Sequence, residues 1–359
     1  MKTKIGFFSV GFAFNRLVRL RYYENIFPTN TELFLFTTNK YHDQDKWKLS
    51  RTKIVVLKHN PLLNAFQIRR ICKENGINIF SNLGHPFGAI PLIIASAFTK
   101  TKILLYILGD SIDYPKLDTF TKSGLKYLFS LIPYFIIEKF CTRTAFVGYN
   151  SYKKAPLFFL SPKNKFHYLH APVNTDIFSP ISRQKARNKL KISQNDKLIV
   201  YVGRITRRKG GRLLSYIIKS NPEIKFILIG KWLDKEIPKF KARNLIHIES
   251  LSNDKLPAYY SAADLVFAYH RQGCQIGIVG EEALACGTPV LHTNRIHAKN
   301  SEAIIKVPDN TIETNKKIKD FFALPKDKKI KISKEARLYA EKYLSDEVWK
   351  DKYLDFFLK

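Results

Sequence analysis

VYVGRITRRKGGRLL at residues 200–214 reads as a strand ending at Gly203, a loop carrying Arg204 and Lys209, and a helix opening near Gly210. A strand, a cationic glycine-bearing loop and a helix N-terminus together make a seat for phosphate, because the first amides of a helix are unpaired and carry about half a positive charge. A second stretch, GIVGEEALACGTPV at 277–290, reads as a glycine-punctuated turn entering a short helix that bears Glu282 and stops at Gly287 and Pro289. It supplies a second helix N-terminus with a carboxylate close by.

The two stretches complement each other. A nucleoside diphosphate needs cations and free N–H donors at its phosphates and a hydroxyl-binding carboxylate at its ribose. Arg204 and Lys209 are the cations, the amides of Gly277, Ile278, Val279 and Gly280 are the donors, and Glu282 is the acid, with neighbouring Glu281 open to a plain helix-dipole role. Gly210 and Gly211 are expected to let a ligand approach the backbone closely.

Outward from these stretches the chain alternates strand and helix patterns. Strand-like runs KIGFFSV, ELFLFTT, KIVVLK, INIFSNL, KILLYILGD and AFVGYN occupy the first half, and KLIVYVG, KFILIGKW, LIHIES, DLVFAY and PVLHT the second. That is the pattern of two doubly wound parallel sheets. The expected division is a first domain over 1–178, a second over 179–342 and a closing helix over 343–359. In such sheets ligands sit at the carboxyl ends of strands. The first-domain candidates by that rule are Phe12 to Asn15, His85, Asp110, and Asn150 with Ser151.

Composition sets further bounds. At 359 residues and 45% hydrophobic content the chain can bury two cores. No run approaches about 18 apolar residues, and MKTKIGFFSVGF lacks the small-residue site of a cleaved leader, so a cytoplasmic location is expected. Cys72, Cys141, Cys274 and Cys286 have no metal-type spacing and read as reduced thiols. The net charge of +31 is spread over both halves, 25 basic and 10 acidic residues in 1–180 against 36 and 20 in 181–359. Such a surface attracts polyanions without selecting one, and no specific nucleic-acid binding is expected. The apolar stretch KYLFSLIPYFIIEKF at 126–140 reads as a buried helix interrupted around Pro133, with peripheral contact to an anionic membrane as the other reading, flanked by Lys116, Lys122, Lys126 and Lys139.

HDQDKW at 42–47 carries an Asp-x-Asp pattern, read as a solvated turn, so no metal and no separate cofactor is expected. VGFAFN after the first strand lacks the glycine spacing a dinucleotide pyrophosphate needs, which argues against a dehydrogenase.

Taken with NTDIFSP at 174–180, LSNDKLPAYYSAADLVFAY at 251–269 and YLSDEVWKDKYLDFF at 343–357, the two motifs resemble the retaining glycosyltransferases of GT-B fold, the large group 1 family that includes sucrose synthases and bacterial mannosyl- and glucosyltransferases. The resemblance implies two Rossmann-like domains facing across a cleft, with the last helix returning to the first. It implies transfer of a hexose from a nucleoside diphosphate sugar, a UDP-sugar ahead of a GDP-sugar, to a glycan, lipid-linked or protein-linked acceptor. Arg204 and Lys209, after Gly203, take the diphosphate, Glu282 the ribose, and His85 the neighbourhood of the reacting sugar. Asp110 is a candidate for the acceptor hydroxyl or a helix cap. One position departs from the family: where a sugar-binding Glu normally stands, eight residues before Glu282, this chain has Cys274, with Gln272 and Gln275 nearby. Epimerase or phosphorylase chemistry on the same fold, or a basic binding protein with impaired catalysis, are the other readings.

Overall fold

The computed structural model describes the chain apart from residues 1–2, 10–13, 39–48, 58–59, 85, 109–121, 235–236, 238 and 272–274, and apart from the side chains of 14–17, 61–62 and 122–130. Two compact units emerge: Met1–His170 with Lys350–Lys359, and Ala171–Trp349.

The first unit runs β1 (Lys4–Ser9), α1 (Phe14–Ile26), β2 (Glu32–Thr37), β3 (Thr52–Val56), α2 (Pro61–Asn75), β4 (Ile79–Asn82), α3 (Ile90–Ser96), β5 (Lys102–Ile107), α4 (Lys122–Lys139), β6 (Arg143–Phe146), α5 (Tyr149–Phe159) and β7 (Phe166–Tyr168). Its seven strands lie in the order β3-β2-β1-β4-β5-β6-β7, and the pairs are parallel. Strand order reverses at β1, so the connections through α2, α3, α4 and α5 all step the same way along the sheet. Right-handed crossovers then place those four helices on one face. Phe8, Phe34, Phe36 and Phe80 pack with Ile68 and Leu92 beneath α2 and α3, while Leu105, Ile107, Phe146 and Phe159 pack with Ile137 beneath α4 and α5. Helix α4 runs unbroken through Pro133. It buries Leu131 and Ile137 but leaves Ile132 and Ile136 exposed, so the expected burial of this stretch holds for only one of its faces.

The last residues complete this unit. Phe357 packs edge-on against Phe7, Tyr23 and Phe27. The Tyr106 hydroxyl bonds that of Tyr353 at 2.9 Å, and Tyr353 donates to the His170 carbonyl at 2.8 Å.

The second unit runs α6 (Arg183–Leu190), β8 (Lys197–Val202), α7 (Gly211–Ser220), β9 (Ile224–Ile229), β10 (Leu245–Ile248), α8 (Leu256–Ala262), β11 (Leu265–Phe267), α9 (Gly277–Ala285), β12 (Val290–Thr293), β13 (Ile304–Val307), α10 (Thr311–Ala323), α11 (Lys326–Tyr343) and the start of α12 (Asp346–Leu358). The order β10-β9-β8-β11-β12-β13 is again parallel and reverses at β8. One contiguous core joins both faces of this sheet. The strands over 166–168 and 304–307 are not among the apolar runs of the sequence; both are short, and FHY and IIKV are interrupted by polar residues.

Arg187 ties α6 to the core. Its side chain is fully buried and donates to the carbonyls of Ala262 (2.9 Å), Ser193 (2.7 Å) and Asp196 (2.8 Å) and to the Asp264 carboxylate (3.0 Å). A buried charge persists only when its donors are met in this way.

Candidate functional site

Both decisive stretches lie in the second unit, at the carboxyl ends of its strands. After β8 the backbone continues in contact with the loop after β9: Gly203 N–H donates to Ile229 O (2.8 Å) and Ile205 N–H to Lys231 O (2.9 Å). The approach is so close that a Cβ on Gly230 (φ +139°) would sit 2.1 Å from the Gly203 carbonyl oxygen. Gly203 itself has φ +134°.

Residues 207–209 then form one 3₁₀ turn. The Thr206 hydroxyl and carbonyl both accept from Lys209 N–H (3.3 and 3.0 Å), and Asp234 accepts from Arg207 N–H (2.7 Å). The chain leaves the turn through Gly210 at φ +74° and enters α7 at Gly211. The room beside both glycines is taken by the protein. A Cβ at Gly210 would meet the Tyr269 ring at 2.6 Å and one at Gly211 would meet Ile237 at 2.7 Å. Packing, rather than a ligand, explains why these two positions lack a side chain.

Strand β11 delivers the other half. Arg271 N–H donates to the Arg208 carbonyl (3.0 Å), and the Arg271 guanidinium reaches Asp309 (2.7 Å). With Tyr269 against Gly210 and Arg271 against Arg208, His270 is held beside Lys209. Its Nδ1 is buried and has no hydrogen-bond partner among the described residues. Burial and the cations Lys209 and Arg208, with His292, push the His270 imidazole down to about 3. Lys209 is half-buried, and burial together with Arg208 and Arg204 lowers its ammonium as well. Lys209, Arg208 and Arg204 thus place positive charge around His270.

That cluster borders the start of α9. His292 on β12, pushed down to about 4 chiefly by burial, donates from Nε2 to the carbonyl of Ile276, the residue that precedes α9 (3.1 Å). Ile276 at the N-cap position makes no side-chain hydrogen bond to the amides of Gly277, Ile278, Val279 and Gly280. Gly277 opens the helix at φ +74° and is exposed with Ile278, whereas Gly280 is buried against Ile276 and Ala268. The cationic turn and the glycine turn therefore meet around the His270–His292 pair.

Glu282 lies about one and a half turns further along α9. Its carboxyl group is buried and accepts from Tyr260 (2.8 Å), whose own carbonyl receives the Thr288 hydroxyl (2.7 Å). Burial, with a smaller contribution from Glu281, pushes Glu282 up to about 8, opposed by the hydrogen bonds from Tyr260 and Asn253. Glu281 is buried too and has interactions of its own.

Arg204 is exposed, and its carbonyl accepts from Tyr201 (2.7 Å). His85, Asp110 and Cys274 lie outside the described residues, as do Gln272 and the HDQDKW stretch. Of the remaining first-unit candidates, Asn150 and Ser151 open α5, with Ser151 fully buried. Cys72, Cys141 and Cys286 are buried free thiols. No group of three or more metal-ligating side chains occurs among the described residues. Sequence reasoning does not single out His270 and His292; the one signal available is a histidine just after β11 and another inside β12.

Residues 182–339 match the family model of the glycosyl transferases group 1. The match lies within the second unit and covers most of it. The D-inositol 3-phosphate glycosyltransferase of Mycolicibacterium smegmatis is 28% identical over 140 residues, covering 36% of this chain and 32% of that protein. The chain spans about a third of the length of the curated relatives it matches. Sucrose-phosphate synthase from Thermosynechococcus elongatus superposes with a TM-score of 0.77 at 16% identity, over 98% of each chain. Anabaena HepE, in complex with UDP and glucose, superposes at 0.76 with 13% identity, again over 98% of each. Two parallel α/β units and these neighbours give the chain the GT-B fold.

Proposed function

We propose that the protein is a retaining glycosyltransferase that moves a hexose from a nucleoside diphosphate sugar to an acceptor hydroxyl without a metal. The observation that carries this reading is the convergence of Lys209, Arg208 and His270, whose Nδ1 has no hydrogen-bond partner among the described residues, on the glycine-opened start of α9. Such a cluster of cations and amides answers the charge of a diphosphate. HepE, whose fold this chain shares, is a complex with UDP and glucose, which supports a uridine nucleotide.

In this mechanism Lys209 and Arg204 hold the diphosphate, and the amides of Gly277 to Gly280 complete its shell. Glu282 takes the ribose hydroxyls, exchanging its Tyr260 bond for them. As the anomeric C–O bond breaks, these groups stabilise the negative charge growing on the departing phosphate oxygen, the role fixed donors perform in place of a cation. The acceptor oxygen forms its bond on the same face, and its proton passes to the leaving diphosphate. His85 and Asp110 are assigned to the acceptor side. The acceptor is a glycan or a lipid-linked sugar.

Calorimetry with UDP, GDP and ADP, followed by turnover assays with the matching sugars, tests this reading. Binding of one nucleotide that Lys209→Ala weakens by about 10–100-fold is expected, from the loss of one or two charge-assisted bonds. Wild-type affinity in Lys209→Ala, or sugar conversion that needs no acceptor, overturns it.

A further inference from the structure

The face of the first unit that carries α3, α4 and α5 is unlike a solvated protein surface. Phe98 is fully exposed directly after α3, Phe140 is 61% exposed after α4, and Leu160 is 73% exposed after α5. Each stands between a helix and the strand that follows it, so all three mark the amino-terminal edge of the sheet, away from the strand ends where ligands sit in this class of fold. Ile94, Ile136 and Leu157 continue the apolar surface along the three helices.

Backbone geometry argues that these side chains are presented deliberately. Phe98 has φ +61° and Leu160 φ +50°, in the left-handed region where glycine or asparagine usually closes a helix. A large apolar residue in that conformation, pointing into water, gains nothing from the folded unit itself.

Charge identifies the occupant. Exposed Lys100, Lys153, Lys154 and Lys163 lie on α5 or in the turns after α3 and α5, while the Lys139 ammonium is taken up by the Phe159 and Leu160 carbonyls and the Ser161 hydroxyl. The one carboxylate among the described residues of 86–165 is Glu138, which is buried and paired with Lys165 at 2.7 Å. A second copy docked here would set mostly lysines against lysines, since Asp355, which the C-terminal helix brings beside Arg143 at this edge, is paired with Lys359. An anionic lipid surface satisfies both halves of the pattern, taking the apolar side chains below its headgroups and the ammonium groups among its phosphates. We infer that the chain binds anionic membranes peripherally through the α3–α5 face of its first unit, led by Phe98, Phe140 and Leu160. No helix among the described residues is long and apolar enough to cross a membrane.

Flotation of the full chain with phosphatidylcholine vesicles, with and without roughly 30% phosphatidylglycerol, tests this. Binding is expected to the anionic vesicles and to fall in high salt. The triple variant Phe98→Ser, Phe140→Ser, Leu160→Ser should lose at least about tenfold of the bound fraction. Its melting temperature and UDP affinity should stay at wild-type values, since the substitutions are exposed and lie in the other unit from Lys209. Lys153→Ala with Lys154→Ala and Lys163→Ala should weaken binding and flatten its salt dependence. The inference is overturned if wild-type chain does not float with anionic vesicles, or if the apolar variant floats as well as wild type. A wild-type dimer that the same variant dissociates would assign the face to a second copy instead. None of the flotation outcomes depends on the nucleotide site.

Discussion

The second unit gathers Lys209, Arg208, His270 and His292 at the carboxyl ends of its strands, whereas the first turns Phe98, Phe140 and Leu160 outward at the amino ends of its own. Both are parallel sheets that reverse strand order at their opening strand. All exposed phenylalanines among the described residues, Phe66, Phe87, Phe98 and Phe140, belong to the first unit. One architecture can thus gather cationic side chains at one end of its sheet and turn apolar surface outward at the other end or face. Loops after strands have free backbone donors to spend on a ligand. Helix faces offer area.

Four measurements put that contrast at risk. The largest effect belongs to Gly230→Ala, which forces a Cβ to within 2.1 Å of the Gly203 carbonyl at φ +139°. It should cost more than about 3 kcal/mol in chemical denaturation; a loss below about 1 kcal/mol would mean that the two loops after β8 and β9 are not packed as described.

Lys209→Ala should cut nucleotide affinity by up to about two orders of magnitude and leave the melting temperature within a few degrees of wild type. Equal losses of binding and stability would make Lys209 a folding residue rather than a ligand for phosphate.

Next comes acid sensitivity, which the second unit should own. His270 and His292 stay neutral in the folded chain down to about 3 and about 4, while in the unfolded chain they take up protons below their ordinary value of 6.5. The unfolded state therefore binds more protons in that window, and stability falls as pH drops from 6.5 towards 4. Glu282 works in the other direction: protonated in the fold up to about 8, it removes stability as pH rises from 4.5 to 8. Thermal melts of His270→Asn should show a shallower acid limb than wild type. An unchanged slope would remove His270 from the buried cationic cluster.

Smallest is Phe98→Gly in the first unit. Relief of the left-handed strain, set against a more flexible unfolded chain, should keep stability within about 1 kcal/mol of wild type. A loss of more than about 2 kcal/mol would show that Phe98 packs against something.

Much of the second unit is legible in its sequence because its signals are local. A cationic loop between an apolar run and a helix, and a Gly-bearing turn before GEEALACGTPV, specify strand ends and helix starts through backbone chemistry alone. His270 and His292 are not legible. Each is an ordinary residue in or after a strand, and only the pairing of β11 beside β12 and the Arg271–Arg208 bond bring them to Lys209. Gly210 and Gly211 read in sequence as room for a ligand, yet Tyr269, far along the chain, fills the space beside Gly210, and Ile237 the space beside Gly211. In α4 the sequence displays an apolar helix without separating its buried stripe from its exposed one, because Leu131 and Ile137 on the one and Ile132 and Ile136 on the other are equally apolar.

Periodicity, turn chemistry and composition are properties of neighbouring residues, and they suffice to specify the two alternating α/β halves, the cationic and glycine turns and the excess of positive charge. Packing in three dimensions settles the rest: which turns meet, which carboxylate is buried against Tyr260, and which face of α3, α4 and α5 stays uncovered. Those outcomes depend on strand order and crossover hand, which bring together residues that no local pattern connects.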